Sequence, residues 1–398
     1  MKKKKLIFIE PLLKDPGGHH MDNLIETTLF FKESNEIHWL LNENFKKKKL
    51  FVPDDVFIHS YIPDENKNFL KKIKSLIIFL FSIIENKNLI KLIKILYKNF
   101  FSFPSYFNHE VYRFFKSQKF EKEDIILIQS CRPKDVELIY FLSGLIETMP
   151  KIIMRVLYPP KKKKFKDFYY HTKKLIDDKN FVKIFTEVST TKNYIKERLN
   201  YDVKNFTQIY TFYNRPIPKK FTLGFLGESR IDKGFDRLPN FIKILSEKKI
   251  DCNYIIQFSK KNYSKTDKIK EQIIDISKKN HNIKIIDGYI DFWEYRNLLK
   301  EINIMPLLYD AEKLNFVGSG LFYSCITHEI PMIIPTEANL LEEYLVFNSF
   351  EKANTDEEYV HSLIKIINNY ENYLDECKKF SSSYNKDIIN DPLVREII

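Results

Sequence analysis

Two cations three residues apart, Arg230 and Lys233, stand in the segment Gly227-Glu228-Ser229-Arg230-Ile231-Asp232-Lys233-Gly234. A guanidinium offers phosphate oxygens a planar fork and an ammonium offers them a point charge. A strand ending at Gly227 and a helix starting near Phe235 would add free N–H groups and a positive helix end to the pair. The chemistry that such a loop suits is the holding of a diphosphate. A second group lies near the start of the chain, where Glu10-Pro11 precedes Asp15-Pro16-Gly17-Gly18-His19-His20-Met21. Imidazole titrates near neutral pH, so His19, ahead of His20, suits a general base on a hydroxyl or a hydrogen-bond donor to a bound anion. Metal chemistry has no comparable signal. There is no Asp-x-Asp triplet, and the other histidines stand apart from cysteine or carboxylate at ligand spacing. Neither GxGxxG nor GxxxxGK[ST] occurs, which disfavours a dinucleotide oxidoreductase and a P-loop NTPase.

The elements that must carry these loops follow from the apolar pattern. Short runs rich in Ile, Val, Phe and Tyr alternate with polar helical stretches, the signature of an α/β protein with parallel sheets. Strands are expected at 5–10, 124–129, 152–157, 183–188 and 206–210, and a second series at 222–227, 254–258, 283–287, 302–308 and 332–335, with a helix over 237–248 and another from about Asp22. Between the series, Asn214-Arg215-Pro216-Ile217-Pro218-Lys219-Lys220 interrupts any regular element. The expected domains are therefore 1–214 and 219–380, with 381–398 packing back on the first. Seven of the nine glycines fall at strand ends, where open α/β sheets bind ligands, so two facing clusters imply a cleft between domains.

At 398 residues with 44% hydrophobic content the chain can bury two cores, which excludes a disordered protein. The four cysteines are far apart and form no CxxC pair, which argues against a zinc ribbon or a disulfide framework and for a cytoplasmic setting. Of the net charge of +12, the stretch 66–103 supplies +7, from eight lysines against Glu85. Its apolar residues recur at helical spacing opposite the lysines, as on a helix lying against an anionic bilayer, or as in a helix pair covering the domain's own core. The apolar run at 76–84 is too short to span a bilayer, and no signal peptide is apparent. Without a recognisable binding module, no nucleic-acid partner is expected.

The segment Gly227 to Gly234 matches, position by position, the G-x-x-R-x-x-K-G of the retaining, nucleoside-diphosphate-sugar-dependent GT-B glycosyltransferases (the family 4-like group), which the sequence resembles over roughly 219–345. The strand and turn Ile283-Lys284-Ile285-Ile286-Asp287-Gly288-Tyr289-Ile290, followed by Ile302-Asn303-Ile304-Met305-Pro306, is similar to the same family. So is Phe316-Val317-Gly318-Ser319-Gly320-Leu321 with His328-Glu329-Ile330-Pro331, although Val317 and Cys325 stand where two glutamates are usual. The resemblance implies two Rossmann-like domains with parallel sheets facing each other across a cleft. It implies donor-binding roles for Gly17, Gly18, Gly227, Arg230, Lys233, Gly288, Tyr289, Gly318, Ser319, Gly320 and Leu321, with Gly288 and Tyr289 beside the nucleobase. Catalytic roles fall to His19, His20, Arg230 and Lys233, the two cations replacing a metal at the leaving diphosphate. No cofactor is implied; the donor is a nucleoside-diphosphate sugar, a UDP-sugar first. The acceptor is a glycan or lipid-linked intermediate of bacterial surface polysaccharide synthesis, met at the inner face of the membrane. The resemblance leans toward retention of configuration, which the missing glutamates leave open. The alternatives are an epimerase or hydrolase of the same form, and a basic membrane- or nucleic-acid-binding protein without turnover.

Overall fold

A computed structural model describes residues 3–11, 13, 19–45, 52–62, 109–157, 165–178, 181–213, 220–258, 266–310, 319–337 and 347–398. Gly17, Gly18, Gly318, the side chain of His19, the lysine-rich stretch 66–103 and most of the linker at 214–220 lie outside the described residues. The chain divides into two compact units, the first holding His20–Phe206 with the first strand and Arg395–Ile398, the second holding Thr207–Val394.

In chain order the first unit contains β1 (Lys4–Glu10), α1 (His19–Phe31), β2 (Asn35–Asn42), β3 (Val56–Ile62), α2 (His109–Ser117), β4 (Ile125–Ile128), α3 (Pro133–Ser143), β5 (Lys151–Val156), α4 (Phe165–Asp177), β6 (Val182–Thr186), α5 (Ser189–Leu199) and β7 (Val203–Asn205). The strands form one parallel sheet in the order β3-β2-β1-β4-β5-β6-β7. Leu6 to Ile9 of β1 and all four residues of β4 are buried. Such unbroken apolar runs are what a parallel sheet covered on both faces requires.

The second unit contains β8 (Thr222–Phe225), α6 (Leu238–Glu247), β9 (Asn253–Phe258), α7 (Asp267–Lys279), β10 (Ile283–Asp287), α8 (Phe292–Glu301), β11 (Met305–Pro306), α9 (Gly320–Thr327), β12 (Met332–Ile334), β13 (Phe350–Lys352), α10 (Asp356–Asn368) and α11 (Tyr370–Asn390), with α12 (Pro392–Ile397) closing the chain. Two parallel ladders, β10-β9-β8 and β11-β12-β13, are joined by a bridge between Leu223 and Ile304 and by the Gly224 N–H to the Ile304 carbonyl at 3.1 Å. The resulting order, β10-β9-β8-β11-β12-β13, repeats that of the first six strands of the other unit.

Some expected strands are shorter or displaced. The apolar run 206–210 is not a strand: β7 stops at Asn205, and Ile209 and Tyr210 are buried because the segment runs under α11, whose Tyr384 hydroxyl donates to the Gln208 carbonyl at 2.7 Å. At 302–308 only Met305 and Pro306 lie in the ladder. The first helix begins at His19 rather than near Asp22. The helix expected near Phe235 starts as two 3-10 turns, Ile231–Lys233 and Phe235–Arg237, before α6. Among the described residues no helix is long and apolar enough to cross a membrane. The last residues, Arg395–Ile398, belong to the first unit, where the Lys151 ammonium meets the Glu396 carboxylate at 3.2 Å.

Candidate active site

Where strand order reverses in an open parallel sheet, the loops leaving the two central strands diverge and open a crevice at their carboxyl ends. In the second unit these strands are β8 and β11. The loop after β8 runs from Leu226 to Gly234 and that after β11 from Leu307 to Asp310, and between them lies a small pocket of about 30 Å3 that opens to solvent. Gly227, Glu228, Lys233, Gln257 and Tyr309 are among its lining residues. Gly234 makes the close approach possible: its φ is +72°, and a Cβ there would stand 2.1 Å from the Leu308 carbonyl oxygen. Only glycine satisfies both conditions.

Lys233 ends the first 3-10 turn and holds its ammonium 3.9 Å from the centre of the Tyr309 ring, a cation–π contact at the pocket wall. Arg230 sits differently. It is the residue before that turn, it does not line the pocket, and its guanidinium is shared between two carboxylates. The Nε donates to Asp232 Oδ1 at 2.9 Å, Nη2 to Asp232 Oδ2, and Nη1 to Glu228 Oε2 at 3.1 Å. The hydrogen bonding of the guanidinium to Asp232, helped by Glu228 and opposed by burial, raises its affinity for its proton further. The fork that the sequence offers to phosphate is thus engaged by two acids of its own loop.

The other residues expected on the donor side are spread over three loops. Gly227 donates its N–H to the Gln257 side chain at 2.8 Å, so that N–H is already committed. Gly288 is buried, whereas Tyr289 beside it is 42% exposed, as is Trp293 one turn further on. Ser319 is buried and serves as the N-cap of α9, its hydroxyl accepting from the Phe322 N–H at 3.5 Å. Gly320 opens α9 and Leu321 lines the pocket.

In the first unit the reversal lies between β1 and β4, and it is filled by side chains. Glu10 ends β1 fully buried. His20, in the first turn of α1, places Nδ1 3.0 Å from Ser130 Oγ and 3.7 Å from Glu10 Oε2. Burial opposes ionisation of Glu10, but the facing His20, with Ser130 and Arg132, outweighs it and holds the carboxyl below the ordinary glutamate value. Arg132 is the residue before α3. Its backbone N–H donates to Asp135 Oδ2 at 2.7 Å, and its Nε approaches the same oxygen at 3.3 Å. Burial pushes the Asp135 carboxyl up to about 7 against the opposing charge of Arg132, with Glu10 adding to the rise. The imidazole thus turns Nδ1 toward Ser130 and Glu10, and Nε2 is the ring nitrogen on its other side. The side chain brought into this cluster is that of His20.

Sequence reasoning passed over Ser130, Arg132 and Asp135, although the signal was present. The polar run Ser130-Cys131-Arg132-Pro133-Lys134-Asp135 follows an apolar strand directly, with proline at the first helical position and an acid at the third. It also passed over Gln257 and Tyr309, for which no local pattern speaks. The four cysteines are buried, and none of them is in a disulfide. Among the described residues no group of three or more His, Cys, Asp or Glu is placed to hold a metal ion.

No protein-family model matches the sequence, and no curated protein matches it by sequence. Solved structures do match the fold. HepE of Anabaena in complex with UDP and glucose superposes with a TM-score of 0.63 at 9% identity, over 99% of this chain and 98% of that one. A glycosyltransferase from Rickettsia africae gives 0.58 at 12% identity, over 100% and 96%. Sucrose-phosphate synthase from Thermosynechococcus elongatus gives 0.56 at 8%, over 98% and 97%. The chain has the GT-B fold, two Rossmann-like units in one polypeptide.

Proposed function

We propose that the chain is a glycosyltransferase that moves a hexosyl group from a nucleoside-diphosphate sugar, a UDP-sugar first, to a hydroxyl of a glycan or lipid-linked acceptor. The observation that carries this reading is the pocket at the strand-order reversal of the second unit, walled by the Gly227–Gly234 loop and Lys233. HepE, of the same fold, has been solved with UDP and glucose and with UDP-glucose, which supports a uridine nucleotide as the donor's carrier here.

In the reaction the bond between the anomeric carbon and the β-phosphate oxygen breaks and a bond to the acceptor oxygen forms. The departing diphosphate gains charge, and fixed cations placed against that charge lower the barrier. Lys233 supplies one directly. Arg230 supplies the second by exchanging Asp232 and Glu228 for phosphate oxygens, a swap of one set of anionic partners for another. These two groups take the part that a divalent metal plays elsewhere, so turnover is metal-independent. In the first unit His20 takes the acceptor proton on Nε2, and Glu10 stabilises the imidazolium that results. The lysine-rich stretch 66–103 is assigned to contact with an anionic membrane where a lipid-linked acceptor of surface polysaccharide synthesis resides.

The test is release of UDP or GDP from a panel of donor sugars by the purified chain, with and without oligosaccharide acceptors and with EDTA present. The expected result is acceptor-dependent release that EDTA leaves intact and that Arg230→Ala combined with Lys233→Ala abolishes in a folded protein. Normal turnover by the double variant would remove both residues from the mechanism, and release that needs no acceptor would make the chain a hydrolase.

A further inference from the structure

Gln257 stands near the end of β9, the middle strand of the ladder β10-β9-β8, and it lines the pocket. Its backbone lies opposite Ile286 in register, one residue beyond the pairing of Ile256 with Phe225. Both neighbouring strands leave their ladders here through glycine turns in the left-handed region, Gly227 at φ +107° and Gly288 at φ +92°. The Gln257 amide spans them: Oε1 accepts from the Gly227 N–H at 2.8 Å, and Nε2 donates to the Gly288 carbonyl at 3.1 Å. The Ser229 hydroxyl donates to the Gln257 carbonyl at 3.2 Å, a third tie from the same loop. A primary amide carries a donor and an acceptor on one rigid plane without having to take up a proton, which a glutamate of the same length must do.

We infer that Gln257 is a positioning residue for the donor, a clamp that fixes the spacing between the turn leading to Lys233 and the turn carrying Gly288 and Tyr289. The inference rests on the proposed donor site. Each turn reaches a different part of a nucleoside diphosphate, so the clamp sets whether one ligand spans both at once. The two turns belong to different strand ends; each is tied to the β9 backbone, and the Gln257 side chain bonds to both directly. Loosening the clamp leaves each ladder paired and each turn folded, but the bound ligand must then supply the ordering itself, which weakens binding.

Titration of UDP and GDP into wild type, Gln257→Leu and Gln257→Glu by calorimetry tests this, with the melting temperature of each chain measured alongside. The expected result is nucleotide binding by wild type, at least a tenfold weaker Kd for Q257L, and melting temperatures within a few degrees of one another. Q257E supplies a readout that packing alone would not move. An ionised carboxylate cannot donate to the Gly288 carbonyl, whereas the protonated acid donates and accepts as the amide does. Its affinity relative to wild type should therefore be poor at pH 8 and recover as pH falls to 5. Equal binding by wild type and Q257L, or a Q257E defect that does not change with pH, overturns the inference alone. Wild type that binds neither nucleotide overturns the donor site and the clamp together.

Discussion

The two units share a strand order and differ in what fills the point where it reverses. In the first, the space between β1 and β4 holds the buried side chains of Glu10, Ser130 and Asp135, with the partly exposed His20 and Arg132 beside them. In the second, the space between β8 and β11 is shaped by glycine turns and backbone, with Glu228, Lys233, Gln257 and Tyr309 among its polar side chains. One topology opens the same crevice twice, and the residues at the strand ends decide its chemistry. A buried acid under an imidazole suits proton transfer, and a glycine-shaped loop with a cation suits an anionic ligand.

The largest effect that sharpens this contrast comes from Lys233→Ala, which should cost on the order of 10²–10³-fold in kcat, as loss of one preorganised charge donor does. His20→Ala should cost on the order of 10²-fold and leave nucleotide affinity unchanged. If His20→Ala instead weakens UDP binding as Lys233→Ala does, the division of labour between the units is wrong.

A smaller effect belongs to Asp135. Its folded pKa is raised, so its contribution to stability is fully present below the unfolded value and is lost as pH rises toward about 7. Asp135→Asn keeps an acceptor for the Arg132 N–H and removes the titration. Its melting temperature relative to wild type should rise by about 2–4 °C between pH 5 and pH 8, read by calorimetry. A pH-independent difference would mean that the carboxyl does not titrate in that range.

The smallest effect concerns the loop after β8. Arg230 must leave Glu228 to meet phosphate, so Glu228→Gln should tighten UDP binding by about threefold, within the range of an exposed ion pair. Weaker binding by this variant would give Glu228 a positive role in holding the ligand.

The alternating architecture, the two cations of the loop after β8 and the place of His20 at the end of β1 were legible in the sequence because each is written locally. Apolar runs of four to eight residues mark buried parallel strands, and Gly227 to Gly234 is one contiguous segment. What the sequence hid depends on pairing across distance. The strand β2, Asn-Glu-Ile-His-Trp-Leu-Leu-Asn, has polar ends and lacks an alternating pattern, and its parallel pairing with β1 marks it as a strand. The run at 206–210 looked like a strand because it is apolar, and it is apolar because it passes under α11. Ser130 joins His20 across 110 positions, and Gln257 joins Gly227 and Gly288 across about thirty each. The engagement of Arg230 by Glu228 and Asp232 was within reach of sequence spacing, but charge counting alone assigns that guanidinium to the ligand.

The most direct measurement is a crystal structure of the chain with UDP bound. The account predicts the diphosphate against the Gly227–Gly234 loop, with an oxygen within hydrogen-bond distance of the Lys233 ammonium and the uracil beside Gly288 and Tyr289. Nucleotide lodged elsewhere, with Lys233 still turned onto Tyr309 and the pocket between β8 and β11 empty, would contradict it.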